Sequence, residues 1–461
     1  MSQLPFSELK LHTNVLENLS SLNYDMMTPI QAKSLPHILA GKDVIAQSQT
    51  GSGKTAAFGL GLLEKLDVKK MHVQSLVLCP TRELADQVAK ELRKLARTVP
   101  NVKILTLCGG MPMRAQLGSL EYGAHMIVGT PGRIEDHLNR GSLQLKALQI
   151  LVMDEADRML EMGFQSALDA IVKHTPEQRQ TLLFSATFQG QTKSIAKRMM
   201  QQPVIVQVAS THDDKSIEQH FYQVGDDDES RLQAIRLLLL QYKPESAVVF
   251  CNTKRETEDV ANALIYEGFS ALALNGDLEQ RDRDQVMVRF ANKSVSILVA
   301  TDVAARGLDI DGLDAVINYE LAHDSEIHVH RIGRTGRAGK QGVACTLFTL
   351  RDDYKMTVLG DYLERDINAE ALPSKNLLKE SAFKAVMTTL QIGGGKKQKL
   401  RPGDILGALT AGNDIAGKQV GKIHVMDQWA YVAVSRDVSK LALKKLGDGK
   451  LKGRSFRVRV I

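Results

Sequence analysis

The chain has 461 residues, a net charge of +6, 43% hydrophobic and 5% aromatic residues. At about a hundred to two hundred residues per domain, this length is enough for about three domains, and the composition excludes a disordered chain. Residues 1–15 lack the apolar core of a signal peptide and no later run could span a bilayer, so we expect a cytoplasmic protein. The four cysteines lie far apart with no C-x-x-C pair, which favours buried thiols over zinc or disulfides.

The positive charge is concentrated at the C-terminal end. Residues 386–461 contain 15 Lys and Arg against 5 Asp and no Glu, a charge of +10, so the rest of the chain sums to −4. Clustered positive charge attracts a polyanion and releases its counterions, which indicates a nucleic-acid partner. On charge alone, a solvated face that keeps the domain in solution is an equally good interpretation.

Short runs rich in Val, Ile and Leu alternate with longer helical patterns. A first series lies at 43–46, 75–79, 103–107, 125–128, 150–153 and 181–184, and a second at 247–251, 270–274, 295–300, 315–318 and 342–348. Such runs predict parallel sheets with helices on both faces. The polar stretch 209–216 between the two series predicts an interdomain linker.

The remainder of the chain predicts a small third domain. A helical pattern continues from residue 351 to about residue 380, and a Gly-Gly-Gly-Lys-Lys loop follows at 393–397. Strands are predicted at 386–392, 421–426, 429–434 and 455–460, and helices at 404–410 and 438–446. The resulting order, β-α-β-β-α-β, is the ferredoxin-like order of RRM domains.

A phosphate-binding loop follows the first strand, where the sequence Ser-Gln-Thr-Gly-Ser-Gly-Lys-Thr opens a helical pattern. Around Gly51, Ser52 and Gly53, backbone N–H groups can close on phosphate at a helix N-terminus. Lys54 would neutralise the β- and γ-phosphates, and the Thr55 hydroxyl would coordinate Mg²⁺. A Gly-Ser loop of no consequence is the alternative, but strand, loop and helix occur in the required order.

Two carboxylates follow the strand predicted at 150–153, at the edge where open α/β sheets bind ligands. Asp154 would hold the magnesium ion, and Glu155 would orient and deprotonate the water that attacks ATP. A surface acidic cluster is the alternative interpretation.

The sequence Asp-Glu-Ala-Asp at 154–157 resembles the motif that names the DEAD-box helicases, and further motifs follow in order along nearly the whole chain. The resemblance implies an α/β fold with two RecA-like parallel-sheet P-loop domains at 1–208 and 217–372 and an RRM-like domain at 383–461. It implies ATP and Mg²⁺ as cofactors and RNA as partner. Gln31, in a segment similar to the Q motif, would read adenine, with Phe6 and Tyr24 packing nearby.

The resemblance also assigns residues that contact the RNA backbone. In the first domain they lie in loops of Gly, Thr and Arg that suit phosphate and sugar without reading bases. Those in the first domain are Pro80, Thr81, Arg82, Gly109, Gly110, Thr130, Pro131 and Arg133, and those in the second are Gln280, Arg283 and Thr301. Ser185 and Thr187 resemble the motif that couples ATP binding to RNA.

The second domain would complete the ATP site. Asp309 matches the position that contacts the ribose, and Arg334 and Arg337 match the arginine fingers that reach the γ-phosphate. His330 and Arg331 would tie motifs together across the cleft. Because fingers and phosphate loop belong to different domains, we expect hydrolysis only when ATP and RNA hold both domains closed.

The C-terminal domain matches the RNP1 pattern of RRM domains only in part. Trp429 and Tyr431 would either stack on bases or pack against helices. Phosphate contacts are expected from basic residues in the first loop and near the end of the chain. Those in the first loop are Lys396, Lys397, Lys399 and Arg401. Residues 389–394 and 401–404 resemble a bacterial group of DEAD-box helicases, which implies a 23S ribosomal RNA hairpin as target and assembly of the large ribosomal subunit as role.

Two other functions fit the same motifs. An ATP-gated RNA clamp would hold partners without remodelling RNA, and a DNA helicase would act on another substrate.

Separation of a base-pair step costs about 1.4 kcal/mol, so one ATP-driven closure of the two domains opens only a few base pairs, which favours local unwinding. We expect a core that is monomeric, although the sequence leaves the oligomeric state open.

Overall fold

The apolar runs of the sequence become the strands of three sheets. The computed structural model describes residues 4–48, 51–188, 190–208, 216–305, 312–336 and 341–461. These residues belong to two units, the first ending at residue 208 and the second beginning at residue 216. The linker predicted at 209–216 lies, except for Ser216, outside the described residues. None of the helices within those ranges has the length and apolarity needed to cross a membrane.

The first unit is built on a seven-stranded parallel sheet of order β3-β4-β2-β5-β6-β1-β7. Its strands are β1 Val44–Gln47, β2 Ser75–Leu78, β3 Ile104–Leu107, β4 Met126–Gly129, β5 Ile150–Met153, β6 Gln180–Ser185 and β7 Val204–Gln207. Its helices are α1 Thr13–Ser21, α2 Pro29–Leu39, α3 Lys54–Glu64, α4 Arg82–Leu95, α5 Met113–Glu121, α6 Pro131–Asn139, α7 Ala156–Glu161, α8 Gln165–Lys173 and α9 Gly190–Met199. All six predicted strands are present, and β7 adds an edge strand that the sequence analysis missed.

Helices cover both faces of this sheet, so its strands are apolar throughout. In β5, Ile150 and Val152 point into one hydrophobic core, and Leu151 and Met153 point into the other. Successive side chains of a strand lie on opposite faces, so a strand buried on both faces loses the polar alternation.

The second unit contains a six-stranded parallel sheet of order β10-β11-β9-β12-β13-β8. Its strands are β8 Ile217–Gln223, β9 Ala247–Cys251, β10 Ala271–Leu274, β11 Ile297–Thr301, β12 Ala315–Asn318 and β13 Gly342–Phe348. Its helices are α10 Asp228–Tyr242, α11 Lys254–Tyr266, α12 Gln280–Ala291, α13 Asp302–Ala305, α14 Ser325–Ile332 and α15 Asp353–Leu363. The edge strand β8, which carries Glu218, Gln219 and His220 among its apolar residues, was not predicted.

The helix predicted from 351 to about 380 is wrong beyond α15. Glu364 caps α15 in the left-handed region at φ 52°, and this ends the helix. Helical structure returns only as a short 3₁₀ turn at Lys375–Lys379. Leu377, Leu378 and Phe383 pack against the core of the six-stranded sheet, so this segment is part of the second unit.

The C-terminal region forms an antiparallel sheet of order β15-β16-β14-β17 within the second unit. The elements are β14 Met387–Ile392, α16 Pro402–Thr410, β15 Val420–Val425, β16 Ala430–Ser435, α17 Ser439–Asp448 and β17 Val458–Val460. The predicted β-α-β-β-α-β order is confirmed. One face of the sheet packs on α16 and α17 through a core of aliphatic side chains such as Leu390, Val432 and Leu446.

Candidate nucleotide and RNA sites

The strand order of the first sheet sorts the predicted site residues into two groups. Parallel strands end at the same edge, so the loops that follow them share that edge. Loops after β3, β4 and β2, which are neighbours, carry the residues predicted to contact RNA. Loops after β5, β6 and β1, the next neighbours, carry those predicted for the nucleotide and for coupling. The two sites are therefore contiguous along one edge of a single sheet.

The phosphate loop has the backbone that its glycines permit. Gly51 and Gly53 have φ values of 82° and 93°, a region that L side chains rarely adopt. Lys54 is the first residue of α3, is 6% exposed, and donates from Nζ to the Ser48 carbonyl oxygen at 3.0 Å. The Ser48 and Ser52 hydroxyls are 2.8 Å apart. Lys54 is therefore held over the loop that would surround the phosphates.

The structure links Gln31 directly to the phosphate loop. Its Nε2 donates to the Gly53 carbonyl oxygen at 3.1 Å, and its Oε1 accepts from the Thr28 N–H at 2.8 Å in the capping box of α2. Phe6 is buried in the first hydrophobic core, and the Tyr24 hydroxyl donates to Glu91 at 2.9 Å. The motif expected to read adenine is thus bonded to the loop expected to hold phosphate, a contact the sequence did not predict.

Asp154 and Glu155 are buried at the end of β5. They are 3% and 6% exposed, and Asp154 Oδ1 and Glu155 Oε2 have no hydrogen-bond partner among the described residues. Burial raises the pKa of Asp154 to about 7, the nearby Lys54 ammonium opposes that rise, and the Glu155 carboxylate adds to it. Glu155 is held at φ 53°, a strained conformation for a residue with a side chain, and such strain is common at functional sites.

These orphaned carboxylate oxygens fit a magnesium–nucleotide complex. Within the described ranges, no cluster of three or more His, Cys, Asp or Glu residues could hold a metal ion by itself. Magnesium usually binds through one or two carboxylates together with substrate phosphates and water. Asp154, with the Thr55 hydroxyl in the first turn of α3, supplies ligands of this kind.

Asp157 connects the acidic motif to the loop after β6. Its Oδ2 accepts from the backbone N–H groups of Ala186 and Thr187, both at 3.0 Å, and from the Thr187 hydroxyl at 3.3 Å. Burial alone would raise the pKa of Asp157, but Lys54, Arg158 and the donated hydrogen bonds hold it below its usual value. The coupling motif is therefore tied to the acidic motif by a buried charge, which sequence reasoning did not assign.

The loops predicted to bind RNA place helix N-termini and glycines together. Thr81 caps α4 by accepting from the Leu84 N–H at 3.3 Å, and Pro131 is the first residue of α6. The Gly109 N–H donates to the Thr130 hydroxyl at 3.4 Å, and Arg133 donates to the Met111 carbonyl oxygen at 3.0 Å. Exposed glycines beside two helix N-termini offer donors for phosphate. Pro80 and Gly110 lie in the same loops, and Arg82 is the first residue of α4.

In the second unit, Arg331 joins the segments that follow three strands, β9, β11 and β12. Its guanidinium is 1% exposed and bonds both carboxylate oxygens of Asp302 at 2.7 Å, Asn252 Oδ1 at 2.8 Å and the Glu320 carbonyl oxygen at 2.9 Å. It also lies 5.2 Å from the centroid of the Phe250 ring. The sequence assigned Arg331 contacts across a cleft, whereas these contacts all lie within the second unit.

The remaining predicted residues of the second unit occupy the ends of its strands and α12. Gln280 begins α12 and donates to Asp284 at 2.7 Å, and Arg283 donates to the Ala304 carbonyl oxygen at 2.6 Å. Thr301 ends β11, while His330 lies in α14 and Arg334 follows it, 7% exposed. Asp309 and Arg337 lie outside the described residues.

Tyr431 does not pack against the helices of its own domain. It lies on the sheet face opposite α16 and α17, is 1% exposed, and accepts from Gln391 at 3.3 Å. The same face contacts α12 and the segment after it. The Arg281 guanidinium lies 4.7 Å from the Trp429 ring centroid. The Thr389 hydroxyl is hydrogen-bonded to Asn292 at 2.8 Å and to the Ser294 hydroxyl at 2.6 Å. In this arrangement the face that stacks bases in other RRM domains is a protein contact.

Two basic segments of the C-terminal domain form one surface. Lys396, Lys397, Lys399 and Arg401 are exposed on the loop between β14 and α16. Lys452 Nζ donates to the Lys399 carbonyl oxygen at 2.8 Å, which brings the second basic segment, residues 450–459, against this loop. The two basic clusters seen in the sequence are therefore adjacent and can engage one stretch of polyanion backbone.

Three protein families match successive segments of the chain. Residues 28–195 match the DEAD/DEAH box helicase family, residues 230–339 the helicase conserved C-terminal domain, and residues 389–460 the DbpA RNA binding domain. With the fold and the phosphate, acidic and arginine motifs described above, these matches define a DEAD-box ATP-dependent RNA helicase, and the chain belongs to that family. It is an RNA-stimulated ATPase that binds a nucleotide and RNA.

Individual relatives extend the match over the whole chain. ATP-dependent RNA helicase DbpA of Escherichia coli K12 is 52% identical over 446 residues, which cover 97% of each protein. CshA of Geobacillus kaustophilus is 47% identical over 75% of this chain and 74% of its own. Yeast Dbp5 bound to RNA and ADP BeF3 has a similar structure, with a TM-score of 0.72 and 28% identity over 81% of this chain and 96% of that one.

Proposed function

We propose that this RNA helicase separates short duplexes in the 23S ribosomal RNA during assembly of the large ribosomal subunit. The observation that carries the proposal is the similarity to DbpA along 97% of both chains, including the tail that matches the DbpA RNA binding domain. The tail would anchor the enzyme on a ribosomal RNA hairpin through its basic surface. The two parallel-sheet domains, at 1–208 and 217–372, would act on nearby duplex while the tail, at 383–461, stays bound.

The phosphate loop and the acidic pair would carry out hydrolysis. Lys54 neutralises the β- and γ-phosphates, backbone N–H groups from Gly51 to Gly53 bind them, and Thr55 and Asp154 hold Mg²⁺. The ion, when bound with the nucleotide, offsets the charge that develops on the phosphates. Glu155 takes the proton of the attacking water, a role supported by its burial and by its orphaned Oε2.

Recognition of ATP would involve both units. Gln31 reads the adenine edge, with Phe6 and Tyr24 beside it, and Asp309 contacts the ribose. Arg334 and Arg337 stabilise the charge on the γ-phosphate, a contribution of about 10³- to 10⁵-fold in rate in related systems.

RNA binding and hydrolysis would be coupled through the loop after β6. The bonds that Asp157 accepts from Ala186 and Thr187 join this loop to the acidic motif, so a movement of one displaces the other. Ser185 and Thr187 would transmit the RNA-bound state to Glu155. In the second unit, Arg331 and His330 would hold the RNA-contacting residues in position for the bound RNA strand. Those residues are Thr301, Gln280 and Arg283.

ATP hydrolysis measured with three nucleic acids tests the proposal. We expect a 23S ribosomal RNA hairpin to stimulate the ATPase more than unrelated RNA, and DNA of the same sequence to stimulate it little. Equal stimulation by all RNAs would remove the ribosomal target, and stimulation by DNA would favour a DNA helicase.

Glu155→Gln tests the assigned base and distinguishes a helicase from a clamp. The amide keeps the shape of the carboxylate but cannot take the proton, so turnover should fall at least a hundredfold while an ATP- and RNA-bound complex accumulates. Normal turnover would contradict the assignment. In the wild type, release of a short duplex strand that requires hydrolysable ATP is expected, whereas a pure clamp would bind RNA without strand release.

A further inference from the structure

A pocket of about 190 Å³ lies on the second unit, and none of the residues assigned to ATP or RNA lines it. It is lined by Leu321, His328, Val358 and Leu359, with Asp324 and Tyr354 at its edge. Its walls belong to α14, to the loop before it, and to α15. Mostly apolar walls with a few polar groups are typical of a binding site.

His328 is a buried polar side chain that the enzyme mechanism does not use. It is 1% exposed, and neither of its ring nitrogens has a hydrogen-bond partner among the described residues. Its ring stacks on Phe221, with centroids 6.0 Å apart. Burial, and then the neighbouring Arg331 and Arg365, lower its pKa to about 3, so the imidazole is neutral and offers one donor and one acceptor. Buried polar atoms without partners are costly, and their presence at a pocket wall indicates a ligand.

An exposed apolar stripe extends from this pocket along α15. Tyr354, Val358 and Tyr362 are 80%, 42% and 52% exposed, and their spacing of four places them on one face of the helix. Helices of this length normally bury such a stripe against another element. The stripe spans about 12 Å, two turns of helix, which is a suitable length for a second short helix laid alongside.

The border of the stripe is acidic. Asp324 lines the pocket, and Asp324 and Glu326 lie near enough to Tyr362 to help burial raise the pKa of its hydroxyl. Asp353 and Asp361 are exposed on α15 itself. The one lysine at the pocket, Lys355, is 3.6 Å from the Asp352 carboxylate. This charge disfavours RNA phosphate and favours a cationic partner.

We propose that this groove, between α14 and α15, binds a basic helical segment of a partner protein. One Tyr or Trp side chain of the segment enters the pocket and hydrogen-bonds His328. The apolar face of the segment covers Tyr354, Val358 and Tyr362, and its Lys or Arg residues face the acidic border. Such an arrangement is the helix-in-groove mode of recognition.

Selection from a display library of sixteen-residue peptides tests the proposal with the full chain as bait. Tyr354→Ser serves for counter-selection, and Tyr266→Ser is a matched control because Tyr266 is a 90% exposed tyrosine on α11 of the same unit. We expect enriched peptides to be basic, with an aromatic residue and aliphatic residues at four-residue spacing. Their affinity, measured by fluorescence anisotropy, should fall at least tenfold in Tyr354→Ser and stay unchanged in Tyr266→Ser. RNA-stimulated ATPase activity should be the same in both variants.

His328→Phe separates a ligand-binding role from a structural one. Phenylalanine keeps the ring and its stacking on Phe221 but removes two unpartnered polar atoms, so the second unit should unfold at a higher temperature while peptide affinity falls about tenfold. A less stable variant with unchanged peptide affinity would overturn the role of His328. Enriched peptides that are acidic, or whose binding ignores Tyr354, would overturn the proposal. Self-association of the chain would also overturn the proposal if Tyr354→Ser abolished it, because the groove would then hold a second copy of the chain.

Discussion

Gly53 shows how one residue joins two motifs of the nucleotide site. It adopts φ 93°, and a Cβ at this position would lie 2.5 Å from Gln31 Nε2 and 3.1 Å from the Thr28 hydroxyl. The glycine is therefore required both by the backbone and by the close approach of the segment expected to read adenine.

We predict that Gly53→Ala raises the KM for ATP at least tenfold, because the new methyl group displaces Gln31 from the phosphate loop. The left-handed backbone should also cost about 1–2 kcal/mol of stability. Gly141→Ala is the control, since Gly141 has φ 68° and an added Cβ would meet nothing within 4 Å. The stability of Gly141→Ala should fall by a similar amount, with no change in the KM for ATP. An unchanged KM in Gly53→Ala would show that Gln31 is not held by this contact.

His328 should make the second unit sensitive to acid. Its pKa is near 3 when folded and about 6.5 when unfolded, so the unfolded chain binds more protons between these values and stability falls as pH decreases below 6.5. Between pH 7 and pH 5 the loss should be about 2 kcal/mol. We predict that His328→Phe removes this part of the pH dependence, as measured by urea unfolding of the second unit. A wild type and variant with the same pH dependence would contradict the prediction.

At the scale of elements, the contact between β14 and the α12 region fixes what the C-terminal sheet can do. Thr389 is fully buried between Asn292 and Ser294, which are 3% and 8% exposed. Together with the Arg281–Trp429 contact, these bonds connect the tail to the helix that carries Gln280 and Arg283. The RNA contacts proposed for the tail and those proposed for α12 therefore lie on one unit.

Thr389→Val should weaken this connection. Valine has nearly the same shape but leaves two buried polar side chains without a shared partner, which costs about 1–3 kcal/mol. Hydrogen exchange in β14 and α12 should increase, and stimulation by a ribosomal RNA hairpin should decrease. Thr388→Val, one position earlier on the same strand, is the control. Equal exchange rates in the two variants would show that the polar cluster does not hold the domains together.

At the scale of the whole molecule, residues 386–461 carry a charge of +10, while the rest of the chain carries −4. Each neutralised phosphate adds about 0.7–0.9 to the slope of log affinity against log salt concentration. We therefore expect the tail to contribute much of the salt dependence of RNA binding.

We predict that the full chain binds a ribosomal RNA hairpin with a salt dependence steeper by about 3 than that of residues 1–385, equivalent to about four phosphate contacts. A cut at 385 keeps Leu377, Leu378 and Phe383 on the core of the second unit. Changing Lys396, Lys397, Lys399 and Arg401 to Ala should remove most of the difference. Equal slopes for both chains would show that the basic surface does not meet RNA.

The sequence by itself determined the two parallel sheets, the order of the C-terminal elements and the type of nucleotide site. These follow from local signals: apolar runs buried on both faces, glycines at a strand-to-helix turn, and carboxylates after a strand. The edge strands β7 and β8 were missed: β7 is short and partly exposed, and polar residues interrupt β8.

Only the tertiary structure decided which distant residues meet. It joined Gln31 to Gly53, Asp157 to Thr187 and Arg331 to Asp302, because strands far apart in sequence end at the same edge of a sheet. It also turned the aromatic face of the C-terminal sheet toward α12. A run of apolar residues in the sequence indicates a buried strand, but the packing of the folded chain decides what buries it.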